Sequence, residues 1–295
     1  EGCGRGFSSV SIADDTLYTS GNFESGQGIS AFSTKTGKLL WQTAVTDKIP
    51  KHGYGGARSV PTIDGDKLYL TTSNGLIACL STKGKVLWTK DFKKEWDGKM
   101  MSGWGFSESP LIDGDRVVCT PGGNEAFIVS LDKRTGATKW KTKLGDVGKK
   151  GKDGAGYGSL VISNAGGVKQ YVQMAGRGLI SVRAKDGRFL WNYDKVANTT
   201  ANISTPIAMG DYIFGSTGYG TGSALLKITA EGSGATAKEV YFLKPKTLQN
   251  HHGGMILIED HIYSGTHHHD DSNLFLYCQT GEVNCRHHQA VRNAS

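Results

Sequence analysis

The chain has 295 residues, a formal net charge of +7, and 42 glycines against 6 prolines. No stretch reaches the ~20 apolar residues of a membrane-spanning helix, and no window holds the 3.6-residue periodicity of a long amphipathic helix. The excess charge sits in KDFKKEWDGK (90–99) and KLGDVGKKGKD (143–153), which lack the stacking aromatics of a nucleic-acid surface, so they read as solvated loops on one rim and no nucleic-acid partner is expected.

The opening EGCGRGF is not a signal peptide and already lies inside a repeat, as in a processed product or a fragment. In the first unit, FSSVSI predicts the innermost strand and SIADDTLYTS (11–20) a hairpin. STKTGKLLW (33–41) then gives a tight Thr36-Gly37 corner followed by Trp41 on the outermost strand. The second unit repeats the pattern with PTIDGDKLYLTT (61–72), a third strand GLIACLS (75–81) and TKGKVLW ending at Trp88. PLIDGDRVVCT (110–120) with KRTGATKW ending at Trp140 makes the third; VISNAGGVKQYVQM (161–174) with AKDGRFLW ending at Trp191 makes the fourth. PIAMGDYIFGS (206–216) and Tyr241 mark the fifth, and ILIEDHIYSG (256–265) with QTGEVNC ending at Cys285 the sixth. The four tryptophans are separated by 47, 52 and 51 residues. Such a period means units that bury their apolar faces only by stacking on neighbours. The Asp-Gly tips are expected to form type I′ turns.

Four strands per unit predict an all-β fold, a β-propeller of four-stranded antiparallel blades in one domain, 1–295. The six blades run over about 1–45, 46–92, 93–144, 145–194, 195–243 and 244–295. Trp41, Trp88, Trp140 and Trp191 are then structural anchors between blades, with the corner glycines permitting the tight turns. The five cysteines, Cys3, Cys79, Cys119, Cys278 and Cys285, show neither metal nor disulfide spacing. Cys79 aligns with Ala31, Ser130 and Ser181, so it and Cys119 read as small buried side chains.

The A-x-x-x-x-T-G-x-x-x-W form of AFSTKTGKLLW resembles the pyrroloquinoline-quinone-like β-propeller repeat of quinoprotein alcohol dehydrogenases and of the outer-membrane assembly lipoprotein of the β-barrel machinery. More narrowly, four stretches are similar to the propeller-repeat proteins of planctomycete-type bacteria: GWGFSESPLIDGDRVVCTPGG (103–123), GVKQYVQMAGRGL (167–179), TANISTPIAMGDYIFGSTGYGTGSALLK (200–227) and NHHGGMILIEDHIYSGT (250–266). The resemblance implies an exported, periplasmic or secreted protein with a propeller of about eight blades. Six units would then form an incomplete, open arc with exposed edges. HHHDDSNLFLYCQ after Thr266 departs from the family's usual strand, and Cys285 stands where a tryptophan is expected.

Propellers bind at the mouth of the central channel, where the residues leading into each inner strand converge. That position yields Arg58, Glu108, Tyr157, Asn202 and His252 as the ligand-binding candidates, for a protein or small-molecule partner. Two functions follow: a binding or scaffold module acting through mouth and loops, or a pyrroloquinoline-quinone-dependent alcohol dehydrogenase-type oxidoreductase. The second would use the quinone with Ca²⁺, for which Glu108 and Asn202 supply two oxygen ligands. The adjacent-cysteine pair of many such enzymes is absent from the sequence. His267, His268 and His269 with Asp270 and Asp271 invite a metal reading, as do His251-His252 and His287-His288, but consecutive residues on a strand point to opposite faces. Gly218, Gly220 and Gly222 lead into another strand and so lack the helix N-terminus of a phosphate loop.

Overall fold

The computed structural model describes residues 2–265 and, beyond them, the backbone of two strands, Asn273–Tyr277 and Val283–Cys285. Six four-stranded antiparallel sheets follow one another along the chain, each with its strands side by side in sequence order. The inner strands are Val10–Ala13, Thr62–Asp64, Leu111–Asp113, Val161–Ser163, Ile207–Met209 and Met255–Ile258. The outer ones are Leu39–Ala44, Val86–Asp91, Thr138–Lys141, Phe189–Tyr193, Gly234–Leu243 and Val283–Cys285. Inner strands of blades 1 and 2, 2 and 3, 4 and 5, and 5 and 6 touch each other, which places them at the axis. The histidines and aspartates of 267–271, and His287-His288, lie outside the described residues.

The core lies between blades rather than within them. Because strand side chains alternate, Leu68 and Leu70 pack on Tyr18, Ile29 and Ala31 of blade 1, while Tyr69 beside them packs on Val117, Val129 and Leu131 of blade 3. Middle strands buried on both faces therefore read as near-continuous apolar runs. Cys79 and Cys119 are fully buried in this core.

Each anchor tryptophan pairs with the small residue aligned in the sequence: Ala31 with Trp41, Cys79 with Trp88, Ser130 with Trp140, Ser181 with Trp191. A bulge follows in every case, and blade 5 keeps it at Leu225 with Tyr241. The bulge turns the indole onto the next blade's corner. A Cβ added at Gly84 would sit 2.8 Å from the Trp41 ring, and one at Gly136 2.8 Å from that of Trp88. Gly187 bears the same relation to Trp140. The indole N–H groups of Trp41 and Trp88 donate to the carbonyls of Thr82 and Lys133, at 3.0 and 3.2 Å. At the third seam the Arg116 guanidinium donates to the corresponding carbonyl, Ala184 O, and Trp140 Nε1 stays buried without a partner. Blade 5 replaces the corner by the long hairpin of Gly222–Glu231 and Gly234–Leu243. Trp191 packs there on Ile228 and Ala235, and its N–H donates to Gln170 of its own blade.

Two details differ from the sequence reading. Asp64 pairs with Lys67, so Gly65 is the first turn residue and it alone has positive φ, +57°; this is the II′ pattern rather than I′. Gly114 and Gly210 repeat it, while Asp14 and Asp15, both with positive φ, form the I′ turn. Within KDFKKEWDGK, Phe92–Trp96 is a short helix capped by the Asp91 carboxylate, which buries Phe92 and Trp96 and leaves Lys93 and Lys94 in solvent.

Candidate functional site

The loops that enter the inner strands and those that join the second and third strands gather at one end of the axis. A ladder of hydrogen bonds holds this end together: Val60 N–H donates to Ser109 Oγ, Ser109 N–H to Ser159 Oγ and Ser159 N–H to Thr205 Oγ1, each at 3.0 Å. Arg58, Tyr157 and His252 share one register of the repeat, Glu108 the next, and Asn202 the one before, so they leave the ladder in different directions.

Arg58 is a staple of the mouth. Its guanidinium donates to the carbonyls of Tyr54 (2.6 Å), Trp104 (2.9 Å), Gly56 (3.2 Å) and Gly53 (3.3 Å) and meets the His52 ring nitrogen at 3.3 Å. Burial lowers its pKa and that of His52. The Phe7 ring lies 5.3 Å from the Arg58 charge. Tyr157 is buried with its hydroxyl 2.7 Å from Ser102 Oγ, and burial raises its pKa. Its ring meets that of Trp104 edge-on at 6.0 Å. Arg58 and Tyr157 thus meet through Trp104.

Glu108 lies deeper, 3% exposed. Its carboxyl takes the Thr120 N–H at 2.7 Å, with Thr120 Oγ1 3.2 Å from the other oxygen. Desolvation pushes its pKa up to about 8. Asn202 is fully buried; its amide donates to Ala175 O and Gly176 O at 2.8 and 3.1 Å, and its oxygen accepts from Asn198 N–H at 3.0 Å. Among the described residues Glu108 and Asn202 share no partner, and the oxygens of both are engaged by protein groups. The pair does not fit a Ca²⁺ ion unless those bonds are given up. Among the described residues, no three of His, Cys, Asp and Glu gather to hold a metal. His252 is exposed, its ring 3.6 Å from that of His251, which meets Tyr219 edge-on at 4.4 Å.

The sequence reading missed the aromatic rim. Gly53-Tyr54-Gly55, Gly103-Trp104-Gly105, Gly156-Tyr157-Gly158 and Gly218-Tyr219-Gly220 repeat one short signal, an aromatic residue between two glycines. Tyr54 and Tyr219 adopt left-handed backbone, φ +50° and +56°, and are 77% and 45% exposed. Non-glycine residues pay for that conformation, and neither ring recovers the cost by entering the core. At the same end Phe7 lies against Arg58, Trp104 against Tyr157, and Tyr219 against His251, which stacks on His252. No helix among the described residues is long and apolar enough to cross a membrane.

Fold and mouth together define a β-propeller built of pyrroloquinoline-quinone-like repeats. The chain belongs to the family described as outer membrane protein assembly factor BamB, whose family model matches residues 25–284. It is similar in structure to BamB from Moraxella catarrhalis, with 16% identity, a TM-score of 0.60, and coverage of 87% of this chain and 68% of that one. The computationally designed Ika8 protein gives 12% identity and a TM-score of 0.61, over 94% of this chain and 73% of that one. The quinohemoprotein alcohol dehydrogenase from Comamonas testosteroni gives 13% and 0.57, over 92% and 53%. Identities this low speak for the fold alone. Among curated proteins, none matches the chain by sequence.

Proposed function

We propose that the chain is an exported, periplasmic or secreted binding or scaffold propeller that holds a protein or small-molecule partner through its channel mouth and loops. The observation that carries this reading is the pair Tyr54 and Tyr219, exposed on left-handed backbone at the same mouth. Strained, solvent-facing aromatics contribute little to folding and supply large, rigid contact area to a partner. Family membership alongside an outer membrane assembly factor supports a role in protein association. Arg58, Tyr157 and Asn202 serve the site by fixing the loops that present the rim.

One observation favours a second reading, a quinone-dependent alcohol dehydrogenase-type oxidoreductase. A buried carboxyl with a pKa of about 8, such as Glu108, has the basicity of a proton acceptor. If bound, the quinone would supply hydride acceptance, and Glu108 the proton transfer. Its oxygens face Thr120 rather than the mouth, which favours the binding reading.

The test is a photo-crosslinker placed at Tyr54 or Tyr219 and, as a control, at Arg134 on the opposite end, in the native cell envelope. Discrete adducts at the two mouth positions and none at Arg134 are expected. Equal labelling at all three positions would overturn the proposal.

A further inference from the structure

At the end of the axis away from the mouth, the tips of the inner hairpins meet the corners between third and fourth strands. A cleft of about 510 Å³ opens there at the seam of blades 3 and 4, between residues 113–116 of blade 3 and residues 167–169 and 183–185 of blade 4. That is the size of a small-molecule site.

Three local departures from the repeat build it. In the other five blades two residues join the first strand to the second, but in blade 4 six residues, 164–169, separate Ser163 from Gln170. This longer turn is fixed on blade 5: Gly166 N–H donates to Asp211 Oδ1 at 3.0 Å, and a Cβ on Gly166 would lie 2.9 Å from the Thr229 backbone. An insertion in one repeat, held rigid at one end of the stack, is a common way for such folds to shape a binding face. Next, Ala184 stands where blades 2 and 3 carry Thr82 and Lys133. Lys133 crosses its seam to Asp64 at 2.5 Å; a methyl group cannot, so the space stays open. Asp113, the counterpart of Asp64, takes Lys169 Nζ and the Tyr171 hydroxyl instead, each at 2.6 Å. Finally, Arg116 takes the Ala184 carbonyl and Trp140 Nε1 is left buried without an acceptor. An orphaned buried donor costs stability, and the seam bears that cost while holding a guanidinium at the cleft.

The lining carries four basic side chains, Arg116, Lys169, Arg183 and Lys185, and two acidic ones, Asp113 and Asp115, a net charge of +2. Arg183 is held by both oxygens of Asp186 and by Ser233 O at 2.7 Å. Lys185 makes no ion pair and no side-chain hydrogen bond among the described residues. Gly114 and Gly167 have nothing within 4 Å of an added Cβ, so the main chain borders open space on both sides.

We propose that this cleft binds a small organic dianion, a phosphate monoester or a dicarboxylate, with its charge on Arg116, Lys169 and Lys185. Two negative charges match the excess of two in the lining, and Val168 and Ala184 offer an apolar surface to the carbon body. The cleft is at the opposite end of the axis from the mouth, so it stands or falls separately from the binding reading given there.

The experiment is isothermal titration calorimetry on the full chain at low ionic strength with glucose 6-phosphate, succinate and, as a neutral control, glucose. Binding of one molecule per chain is expected for at least one dianion and none for glucose; which dianion binds tells a phosphate site from a carboxylate site. Lys185→Glu, at an exposed position, should weaken binding about tenfold or more. Arg134→Glu changes the same corner position of blade 3, beside a seam that Lys133 fills, and should stay within about twofold of the wild type. Ala184→Lys, which restores the residue of blade 3, should abolish binding with the melting temperature kept; if that variant does not fold, the contrast of Lys185→Glu with Arg134→Glu still decides. Failure of both dianions to bind would overturn the proposal, and so would equal binding of glucose or equal losses in Lys185→Glu and Arg134→Glu.

Discussion

Glu108 and Thr120 face each other across a site that needs one more proton than the threonine can provide. Thr120 Oγ1 lies against both Glu108 Oε1 and Gln173 Oε1, and the Gln173 amide nitrogen is already committed to Gly158 O at 2.8 Å. A hydroxyl has one proton to give, so a proton on the Glu108 carboxyl completes the chain from blade 3 into blade 4. Burial pushes the Glu108 pKa up to about 8, which favours the protonated carboxyl at neutral pH.

The folded pKa lies above the unfolded one, so the stabilising contribution of Glu108 is fully present below the unfolded value, 4.5, and is lost as pH rises through about 8. Glu108→Gln, which keeps the shape and removes the titration, should flatten that fall. Wild type and variant should diverge by a few kcal/mol, about 1.4 for each pH unit crossed. Denaturant melts at pH 5 and pH 9 check this.

The seam of Trp41 on Gly84 separates two costs of a corner substitution. Gly37→Ala should lose about 1–2 kcal/mol, the price of left-handed backbone alone. Gly84→Ala adds a clash with the indole 2.8 Å away and should lose about 1–3 kcal/mol more. Equal losses in urea unfolding would mean that the tryptophan does not press on the glycine.

Trp191 is buried, while Trp41, Trp88 and Trp140 are half-covered. Trp191→Ala should therefore cost about 3–5 kcal/mol and Trp41→Ala less. Chemical denaturation of the two variants ranks them directly.

Arg58→Ala leaves four loop carbonyls without their cationic donor. Amide exchange should accelerate over residues 52–57 and at Trp104 while the middle strands of blade 2 keep their protection. Unchanged exchange in the loop would mean that the staple carries no load.

The blades were legible in the sequence because the repeat writes one physical event many times. Trp41, Trp88, Trp140 and Trp191 each need a small partner on the adjoining strand, a bulge and, at three seams, a glycine in the next blade, so the pattern recurs about every fifty residues. The mouth was only partly legible. Arg58, Glu108 and Asn202 were found by position along the chain, but a shift of one residue turns a side chain to the other face. Arg58 turned toward carbonyls, Glu108 toward Thr120, and Asn202 toward Ala175. Tyr54 and Tyr219 were overlooked because what singles them out, left-handed backbone at an exposed loop tip, is conformational; only their flanking glycines show in the sequence.

The measurement that bears most directly on the binding reading is dye reduction by the purified protein with added Ca²⁺, pyrroloquinoline quinone and a panel of alcohols. Wild type and Glu108→Gln should both stay at the protein-free background. Turnover that requires both Ca²⁺ and the quinone, and that disappears in Glu108→Gln with its melting intact, would contradict the account and make this propeller an enzyme.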